Sequence, residues 1–333
     1  MRRSLTLVFL LLAAGAVGTS ASTGGQSTLN ERLAAKNGLI AFMRPGKVGE
    51  YDLWVVRPSG KGLRPLTTAP SARSDYNPDW SPDGSSVLFE RRVLDGTGDN
   101  LYVVNANDRQ LRRITNCAET ALCWSDNEAK WSPDGGRIAF GRATGPPSQQ
   151  GPSKVAIYLA HPDGTGISQL SNPPSGFGDH YPTWSADGKT VVFQRDPAQG
   201  RTTLIAVDVA AQAERVIYRL PRWAAGGGIP KFSPNGKRIL FSFWCIYGDD
   251  CAANTRRARN ARLATIRPDG TMLRRLRLRV RADSGSWSPD GKKIVFRCHL
   301  PTTFRLCTAT LNGRHLKRFP GRVDSAEPDW GTH

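Results

Sequence analysis

Short apolar runs and polar turns alternate along this chain at a regular spacing. Each run ends in Phe, and each follows an aromatic residue and a turn of the type Ser-Pro-Asp-Gly. Short apolar runs between turn signals indicate β-strands, and Pro followed by Asp-Gly fits a tight turn that ends at positive φ. The pattern predicts a series of β-hairpins. The runs are Val87-Leu88-Phe89, Ile138-Ala139-Phe140, Val191-Val192-Phe193, Ile239-Leu240-Phe241 and Ile294-Val295-Phe296.

The turn motif is an internal repeat. It begins at Trp80, Trp131, Trp184, Phe232 and Trp287, and a truncated copy, Pro328-Asp329-Trp330-Gly331, stands near the end. Successive copies are 43 to 55 residues apart. A second, weaker hairpin follows the first in each repeat, as at Leu101–Val104 and Arg112–Thr115. Four short antiparallel strands per repeat predict one blade of a β-propeller.

The first repeat lacks its first strand. Gly38–Phe42, Asp52–Val56 and Leu63–Thr67 match the second, third and fourth strands, and the missing strand is found at Ala326–Trp330. Closure of a propeller by its last strand removes exposed sheet edges. We therefore predict an all-β, six-bladed β-propeller over residues 37–333, closed by pairing of the C-terminal strand into the N-terminal blade.

The repeat resembles a known family. The pattern Asp-x-x-Pro-x-Trp-Ser-x-Asp-Gly, followed by an apolar run to Phe, occurs at Asp75–Phe89 and Asp179–Phe193. It is similar to the TolB-type, WD-repeat-like propeller repeats, which also occur in prolyl-oligopeptidase relatives. The resemblance implies a six-bladed propeller that binds a protein or peptide. TolB has an α/β domain ahead of its propeller and the peptidase relatives have a hydrolase domain after theirs, and we expect neither here.

The N-terminus is predicted to be a targeting segment. Arg2 and Arg3 precede the apolar run Leu5–Val17, and the small residues Thr19-Ser20-Ala21 follow. This order is typical of a signal peptide, which we place at residues 1–21, with a linker at 22–36. No later segment has the length and apolarity of a membrane span. We expect an exported protein, periplasmic or extracellular at the cell envelope.

The six cysteines fall into three local pairs, which fits export to an oxidising compartment. Six cysteines allow 15 disulfide connectivities, and proximity in the sequence favours the one that joins the three local pairs. Spacing typical of a zinc site is absent. The predicted disulfides are Cys117–Cys123, Cys245–Cys251 and Cys298–Cys307.

The chain is strongly basic, with a formal net charge of +18, and ten arginines lie between Arg256 and Arg281. Such a cluster could attract an anionic polymer or surface. However, Arg274, Arg275, Arg277 and Arg279 alternate with leucines, as on a charged outer edge strand that resists aggregation. We predict a solvated edge, and export argues against a nucleic-acid partner.

Known catalytic motifs are missing from the sequence. It contains no Gly-x-Ser-x-Gly, no His-Glu-x-x-His and no Walker loop. The repeated tryptophans and phenylalanines are expected in the core. We therefore predict no catalytic residue, cofactor or metal ligand.

The predicted binding site is the channel mouth on the face that carries the long, irregular loops, because variable loops on a regular scaffold commonly carry function. Carboxylates precede the innermost strand in five repeats and would form a negative patch there. A purely structural role for these carboxylates is the alternative. The predicted site residues are Asp75, Asp126, Asp179, His180, Tyr181, Asp283 and Asp324.

Three functions remain open from the sequence. The first is an exported, monomeric, non-catalytic binding module for a protein or peptide of the cell envelope. The second is a propeller-based lyase or hydrolase that uses a metal in the channel, for which His180 and the aspartates are the available ligands. The third is a purely structural envelope protein.

Overall fold

The computed structural model describes residues 36–46, 49–93, 98–117, 123–145, 154–221, 224, 226–244, 262–321 and 327–332. The predicted signal peptide and the linker up to residue 35 lie outside these ranges. Within them the regular elements are β-strands, with no α-helix. The described residues accordingly include no helix of the length and apolarity needed to cross a membrane.

Within the described ranges, twenty-four strands form five mainly antiparallel sheets. Each sheet takes consecutive strands of the chain, except that the last strand joins the first sheet. The first sheet contains β1 (Asn37–Pro45), β2 (Tyr51–Val56), β3 (Arg64–Pro65) and β24 (Asp329–Thr332). The second contains β4 (Arg73–Trp80), β5 (Ser86–Val93), β6 (Asp99–Asn105) and β7 (Leu111–Arg113).

The middle of the chain forms one larger sheet. It contains β8 (Ser125–Trp131), β9 (Ile138–Thr144), β10 (Lys154–Ala160), β11 (Ser168–Gln169), β12 (Phe177–Trp184), β13 (Thr190–Pro197), β14 (Thr203–Asp208) and β15 (Glu214–Arg219). The two halves, β8–β11 and β12–β15, meet through a parallel pairing of Val155 with Gly178. Each half has the antiparallel order of the other sheets.

Two four-stranded sheets follow. One contains β16 (Gly226–Phe232), β17 (Ile239–Trp244), β18 (Arg262–Ile266) and β19 (Arg274–Arg275). The other contains β20 (Arg281–Trp287), β21 (Lys293–His299), β22 (Phe304–Thr310) and β23 (Lys317–Arg318).

The last described strand joins the first sheet. Strand β24 pairs antiparallel with β1, with Trp330 opposite Ile40 and Asp329 opposite Ala41. One strand at the edge of each sheet or half-sheet contacts the corresponding strand of the next sheet. In the first sheet this strand is β24, which contacts both β20 and β4. We call these six strands the inner strands: β4, β8, β12, β16, β20 and β24.

The repeated turns follow from their side chains. In the first, Gly84 N–H donates to the Ser81 carbonyl at 2.9 Å, and Gly84 has φ of 71°. Asp83 accepts hydrogen bonds from the Ser81 hydroxyl and from Ser85 N–H. Asp and Ser satisfy the turn backbone while Gly supplies positive φ, so the motif closes a hairpin wherever it occurs.

The core lies between successive sheets. One phenylalanine from the second strand of five repeats is fully buried there: Phe89, Phe140, Phe193, Phe241 and Phe296. Four motif tryptophans are also buried, with 5–7% of their surface exposed: Trp80, Trp184, Trp287 and Trp330. The aromatic core is thus as predicted, because apolar side chains at alternate strand positions face the neighbouring sheet.

Five inner strands contain a bulge three residues before the motif aromatic. The residue at that position has φ between 48° and 58°, and the register to the second strand shifts there. A β-bulge bends its strand and redirects the side chains around it. The bulge residues are Asn77, Glu128, Tyr181, Ile229 and Ser284.

Two of the predicted disulfides lie within the described residues, and both are formed. Cys117 bonds Cys123, and Cys298 bonds Cys307 across the β21–β22 ladder. The third predicted pair, Cys245–Cys251, lies outside the described residues.

Candidate functional site

The predicted mouth carboxylates are buried in ion pairs wherever the structure describes them. Each lies on an inner strand, directly opposite an arginine of the second strand. Two guanidinium nitrogens donate to the two carboxylate oxygens at 2.6–2.9 Å. The pairs are Asp75–Arg91, Asp126–Arg142, Asp179–Arg195 and Asp283–Arg297. Asp324 lies outside the described residues.

Each of these carboxylates therefore has a charge partner within the protein. Burial raises the pKa of Asp126 and of Asp179 even beside an arginine. Burial also acts to raise the pKa of Asp283, but hydrogen bonds from His299 and Arg297 together hold it below its ordinary value. The expected negative patch is balanced by the guanidinium groups, and ligand binding at this mouth stays a prediction.

The pairing of these arginines with the carboxylates was not predicted from the sequence, although the sequence contains a signal for it. Arg91, Arg142 and Arg195 each stand two residues after the buried phenylalanine of their strand, and Arg297 stands one residue after it. A basic residue one or two positions after the buried phenylalanine in four repeats is unusual next to a core strand. It indicates a buried partner of opposite charge.

His180 and Tyr181 belong to a separate polar group around Glu128. Tyr181 N–H donates to Glu128 Oε2 at 2.7 Å, and His180 Nδ1 lies 3.7 Å from the same oxygen. Burial acts to lower the pKa of His180, but the hydrogen bond and charge of Glu128 raise it above its ordinary value. The pKa of Glu90, whose Oε2 accepts a hydrogen bond from Glu128 N–H, is raised by burial to about 7.

A cavity of about 230 Å³ lies at the opposite end of the channel, where the inner strands enter the Ser-Pro-Asp-Gly turns. Six polar side chains, one from each inner strand, line it: Asp79, Lys130, Thr183, Lys231, Ser286 and Asp329. We call them the polar ring. The six motif aromatics and several turn prolines, among them Pro82, Pro133, Pro234 and Pro289, also line the cavity. Polar groups at a concave surface with aromatic walls are typical of a ligand site.

The polar ring was also missed in the sequence. Its members stand one residue before the motif aromatic in all six copies. Strand alternation places that residue on the face opposite the aromatic, so a polar residue there in every copy indicates a polar channel. The signal is weak, because edge or solvated strands show the same alternation.

Hydrogen bonds fix part of the ring to the next inner strand. Asp79 Oδ2 accepts from Trp131 N–H at 2.8 Å, and Asp329 Oδ2 accepts from Trp80 N–H at 3.0 Å. The Thr183 hydroxyl accepts from Phe232 N–H at 3.3 Å. These contacts join neighbouring strands and hold the side chains in place around the cavity.

The two lysines of the ring differ in their electrostatic surroundings. Lys130 Nζ lies 3.4 Å from Asp79 Oδ1, and the nearby carboxylates outweigh burial and raise the Lys130 pKa to about 12. Burial, reinforced by the positive charge of Lys130, lowers the pKa of Lys231 to about 8. Burial likewise raises the pKa of Asp79 to about 6 and that of Glu327 to about 7. Two groups that line the cavity, Asp79 and Lys231, therefore have pKa values shifted towards neutral pH, and so does the nearby Glu327.

One group of possible metal ligands converges among the described residues, namely Cys117, Cys123 and Asp126. The two sulfur atoms form a disulfide, and both oxygens of Asp126 accept hydrogen bonds from Arg142. Metal binding by thiolate requires free, deprotonated sulfur. The sulfur atoms and the carboxylate of this group are thus already engaged in a disulfide and an ion pair.

The arginines of the basic cluster that the structure describes can be compared with the predicted solvated edge. Its arginines from Arg267 to Arg281 are exposed, whereas Leu276, Leu278 and Val280 pack partly buried against a core cluster. Arg256, Arg257 and Arg259 lie outside the described residues. Arg274 and Arg275 form the outer strand β19, as the edge prediction requires, whereas Arg277 and Arg279 follow it in the connection to the inner strand β20.

Successive antiparallel sheets, inner strands in contact with one another, and a channel that ends in a polar cavity define an all-β propeller. Solved structures have the same fold. TolB from Acinetobacter baumannii superposes with a TM-score of 0.66 over 88% of this chain and 66% of that one, at 18% identity. An oligogalacturonate lyase in complex with manganese superposes with a TM-score of 0.53 over 81% of this chain and 73% of that one, at 15% identity. At such identities the likeness concerns the fold alone.

The family follows from the sequence match. Residues 37–223, more than half of the chain, match the model of the TolB beta propeller domain, so the chain belongs to the TolB β-propeller family. A curated relative, the Tol-Pal system protein TolB of Nitratidesulfovibrio vulgaris, is 33% identical over 101 residues, 29% of this chain. The alignment covers 22% of that relative's length, about a fifth of it.

Proposed function

We propose that this chain is an exported, non-catalytic binding module that takes a protein or peptide of the cell envelope into the cavity bounded by the polar ring. The observation that carries the proposal is the cavity itself. One polar side chain from each inner strand meets there, inside aromatic walls. Polar groups that line such a cavity suit a peptide segment. The resemblance to TolB-type propellers supports a protein partner of the envelope.

We also infer that the propeller has six blades and closes through β24. The pairing of Trp330 with Ile40 supports closure, as do the contacts of β24 with β4 and β20. The division of the eight-stranded sheet at one parallel pairing supports a count of six.

Export is supported by two disulfides among the described residues, because such bonds persist in oxidising compartments. Intact-mass measurement on protein from the envelope fraction tests it. We expect a mature chain that begins at residue 22. A full-length chain in the cytoplasm, with reduced thiols, would contradict export.

Photo-crosslinking tests the binding site. A photoreactive amino acid is placed in turn at Ala186, which lines the cavity, at Phe177, exposed at the start of β12, and at Leu111, exposed on the outer strand β7. Each variant is illuminated in envelope extract. We expect a discrete crosslinked product from the Ala186 position, with Leu111 as the matched background.

The mouth predicted from the sequence is the second candidate position. His180 and Tyr181 favour it, since both are partly exposed beside Glu128. A product from Phe177 alone would place the ligand at that mouth. If neither Ala186 nor Phe177 gives a product above Leu111, the binding-module proposal is wrong.

The enzymatic alternative is a lyase or hydrolase with a metal in the channel. The His180–Glu128 pair is the observation in its favour, because imidazole and carboxylate are common metal ligands. Metal analysis of the purified protein separates the two functions. A stoichiometric, tightly held transition metal that is lost in His180→Ala would favour the enzyme.

A further inference from the structure

The polar ring contains two ammonium groups that differ in their counter-ions. Asp79 lies within ion-pair distance of Lys130. The oxygens of Asp329 accept hydrogen bonds from Trp80 N–H and from the Ser286 hydroxyl. Among the described residues, no carboxylate oxygen lies within 4.0 Å of Lys231 Nζ. Lys231 therefore has no carboxylate in direct contact, and Asp79, Asp329 and Glu327 act on it only from a greater distance.

Lys231 is held at the cavity by its surroundings. The residue is 8% exposed and lines the cavity, and its carbonyl accepts a hydrogen bond from Trp287 Nε1 at 3.1 Å. A buried ammonium without a contacting carboxylate is unfavourable, and the second positive charge of Lys130 nearby makes it more so. An anion that enters the cavity would give Lys231 a direct ion-pair partner.

A second hydrogen-bond donor lines the cavity together with this amine. Thr183, on the preceding inner strand, lines the same cavity, and its hydroxyl oxygen accepts from Phe232 N–H. A hydroxyl both donates and accepts, so the Thr183 hydrogen is left to donate to a ligand. Ammonium and hydroxyl together can hold the two oxygens of one carboxylate.

The charges of the cavity favour a monoanion. Asp79 and Asp329 already bring negative charge to the same space. A phosphate dianion would meet more repulsion from them than a carboxylate. A cavity of about 230 Å³ has room for an acidic side chain or a short peptide terminus, and less for a large anionic polymer.

We propose that the cavity is a carboxylate-recognition site, in which Lys231 forms the ion pair and Thr183 donates a hydrogen bond to the acidic group of the ligand. This inference rests on the proposed function, because it assumes that the ligand enters this cavity. It adds that the bound segment presents an acidic side chain or a C-terminal carboxylate there.

Saturation-transfer NMR on the mature chain tests this with small probes. The probes are acetyl-Gly-Glu-Gly-amide, its neutral isostere acetyl-Gly-Gln-Gly-amide, acetyl-Gly-Gly-Gly with a free C-terminus, and inorganic phosphate. We expect binding of the Glu peptide, of the free C-terminus, or of both, which identifies the source of the carboxylate. The Gln peptide and phosphate should bind at least about tenfold more weakly, since a charge-assisted hydrogen bond is worth that much.

Two variants make the test specific. Lys231→Met keeps the length of the side chain and removes the charge, so we expect it to fold and to lose at least about tenfold in affinity for the acidic probe. Lys189→Met, an exposed lysine in the turn after Trp184, is the matched control and should bind as the unmodified protein does. Melting curves of both variants check the fold.

Protection from labelling gives an independent readout. Saturating acidic probe should slow reductive methylation of Lys231, but not of Lys189, as measured by peptide mass spectrometry. Equal binding of the Glu and Gln peptides, or unchanged affinity in Lys231→Met, would overturn the inference. Tighter binding of phosphate than of the acidic peptides would overturn it as well.

The two proposals can fail separately. A crosslinked partner at Ala186 without carboxylate selectivity would leave the binding module standing and remove the carboxylate site. Carboxylate binding at Lys231 without any crosslinked partner would keep the site and remove the protein partner.

Discussion

Replacement of Asp75 by Asn should destabilise the protein strongly. Asp75 is fully buried and its partner Arg91 has a 6% exposed side chain, with nitrogen–oxygen distances of 2.6 and 2.8 Å. The variant leaves a guanidinium buried without a counter-charge. Removal of one partner from a buried ion pair costs about 3–5 kcal/mol of unfolding free energy. We expect the lower part of that range, because the Asn oxygen still accepts one hydrogen bond.

Urea denaturation monitored by tryptophan fluorescence measures the effect. Asp179→Asn is an informative comparison, because Arg195 also pairs with Glu214 at 2.7 and 3.0 Å and keeps a carboxylate in that variant. We expect a smaller loss there than in Asp75→Asn. Asp163→Asn, an exposed turn residue that bonds Thr165, is the control and should change little.

A double variant separates charge from packing. Arg91 also lies over the Tyr102 ring, at 5.1 Å from the centroid, so its side chain fills space between strands. In Asp75→Asn with Arg91→Met the unpaired charge is gone and the space stays filled. We expect most of the lost stability to return, as is common when buried ion pairs become apolar. If Asp75→Asn keeps the stability of the unmodified protein and weakens ligand binding instead, the structural role assigned to this pair is wrong.

Three further predictions concern closure, disulfides and pH. Deletion of residues 324–333 removes β24 and the Trp330 side chain from the first sheet and should abolish cooperative unfolding; an unchanged melting curve would refute closure. Non-reducing peptide maps should join Cys117 to Cys123, Cys298 to Cys307 and Cys245 to Cys251, and a Cys117–Cys245 peptide would contradict the pairing. Loss of the Cys298–Cys307 bond should lower the free energy of unfolding by about 2–3 kcal/mol, because the unfolded chain gains loop entropy. Burial raises the Glu327 pKa from 4.5 to about 7, so the folded state favours the protonated acid and loses stability as pH rises from about 4.5 to 7. Glu327→Gln should reduce the stability difference between pH 5 and pH 8, and an identical difference in both proteins would count against this assignment.

The sequence alone determined the local structure of this protein. The turn motif sets where each hairpin closes, because Pro, Asp and Gly act through their own backbone and side chains within a few residues, as at Ser81–Gly84. The alternation of apolar positions likewise placed Phe89 and its four counterparts in the core. Nearby cysteines identified two disulfides for the same reason, since short separation limits the choice of partner.

The tertiary structure decided the electrostatics of the channel. Asp75 was expected at an open mouth, and the register between β4 and β5 places it opposite Arg91 instead, a contact that depends on the bulge at Asn77. Lys130 and Lys231 are about one hundred residues apart in the chain and meet only because inner strands of different repeats surround one axis. Periodicity shows that a position faces inward. Which charge it then meets depends on strand register and on the order of repeats around the channel, and neither is a local property of the chain.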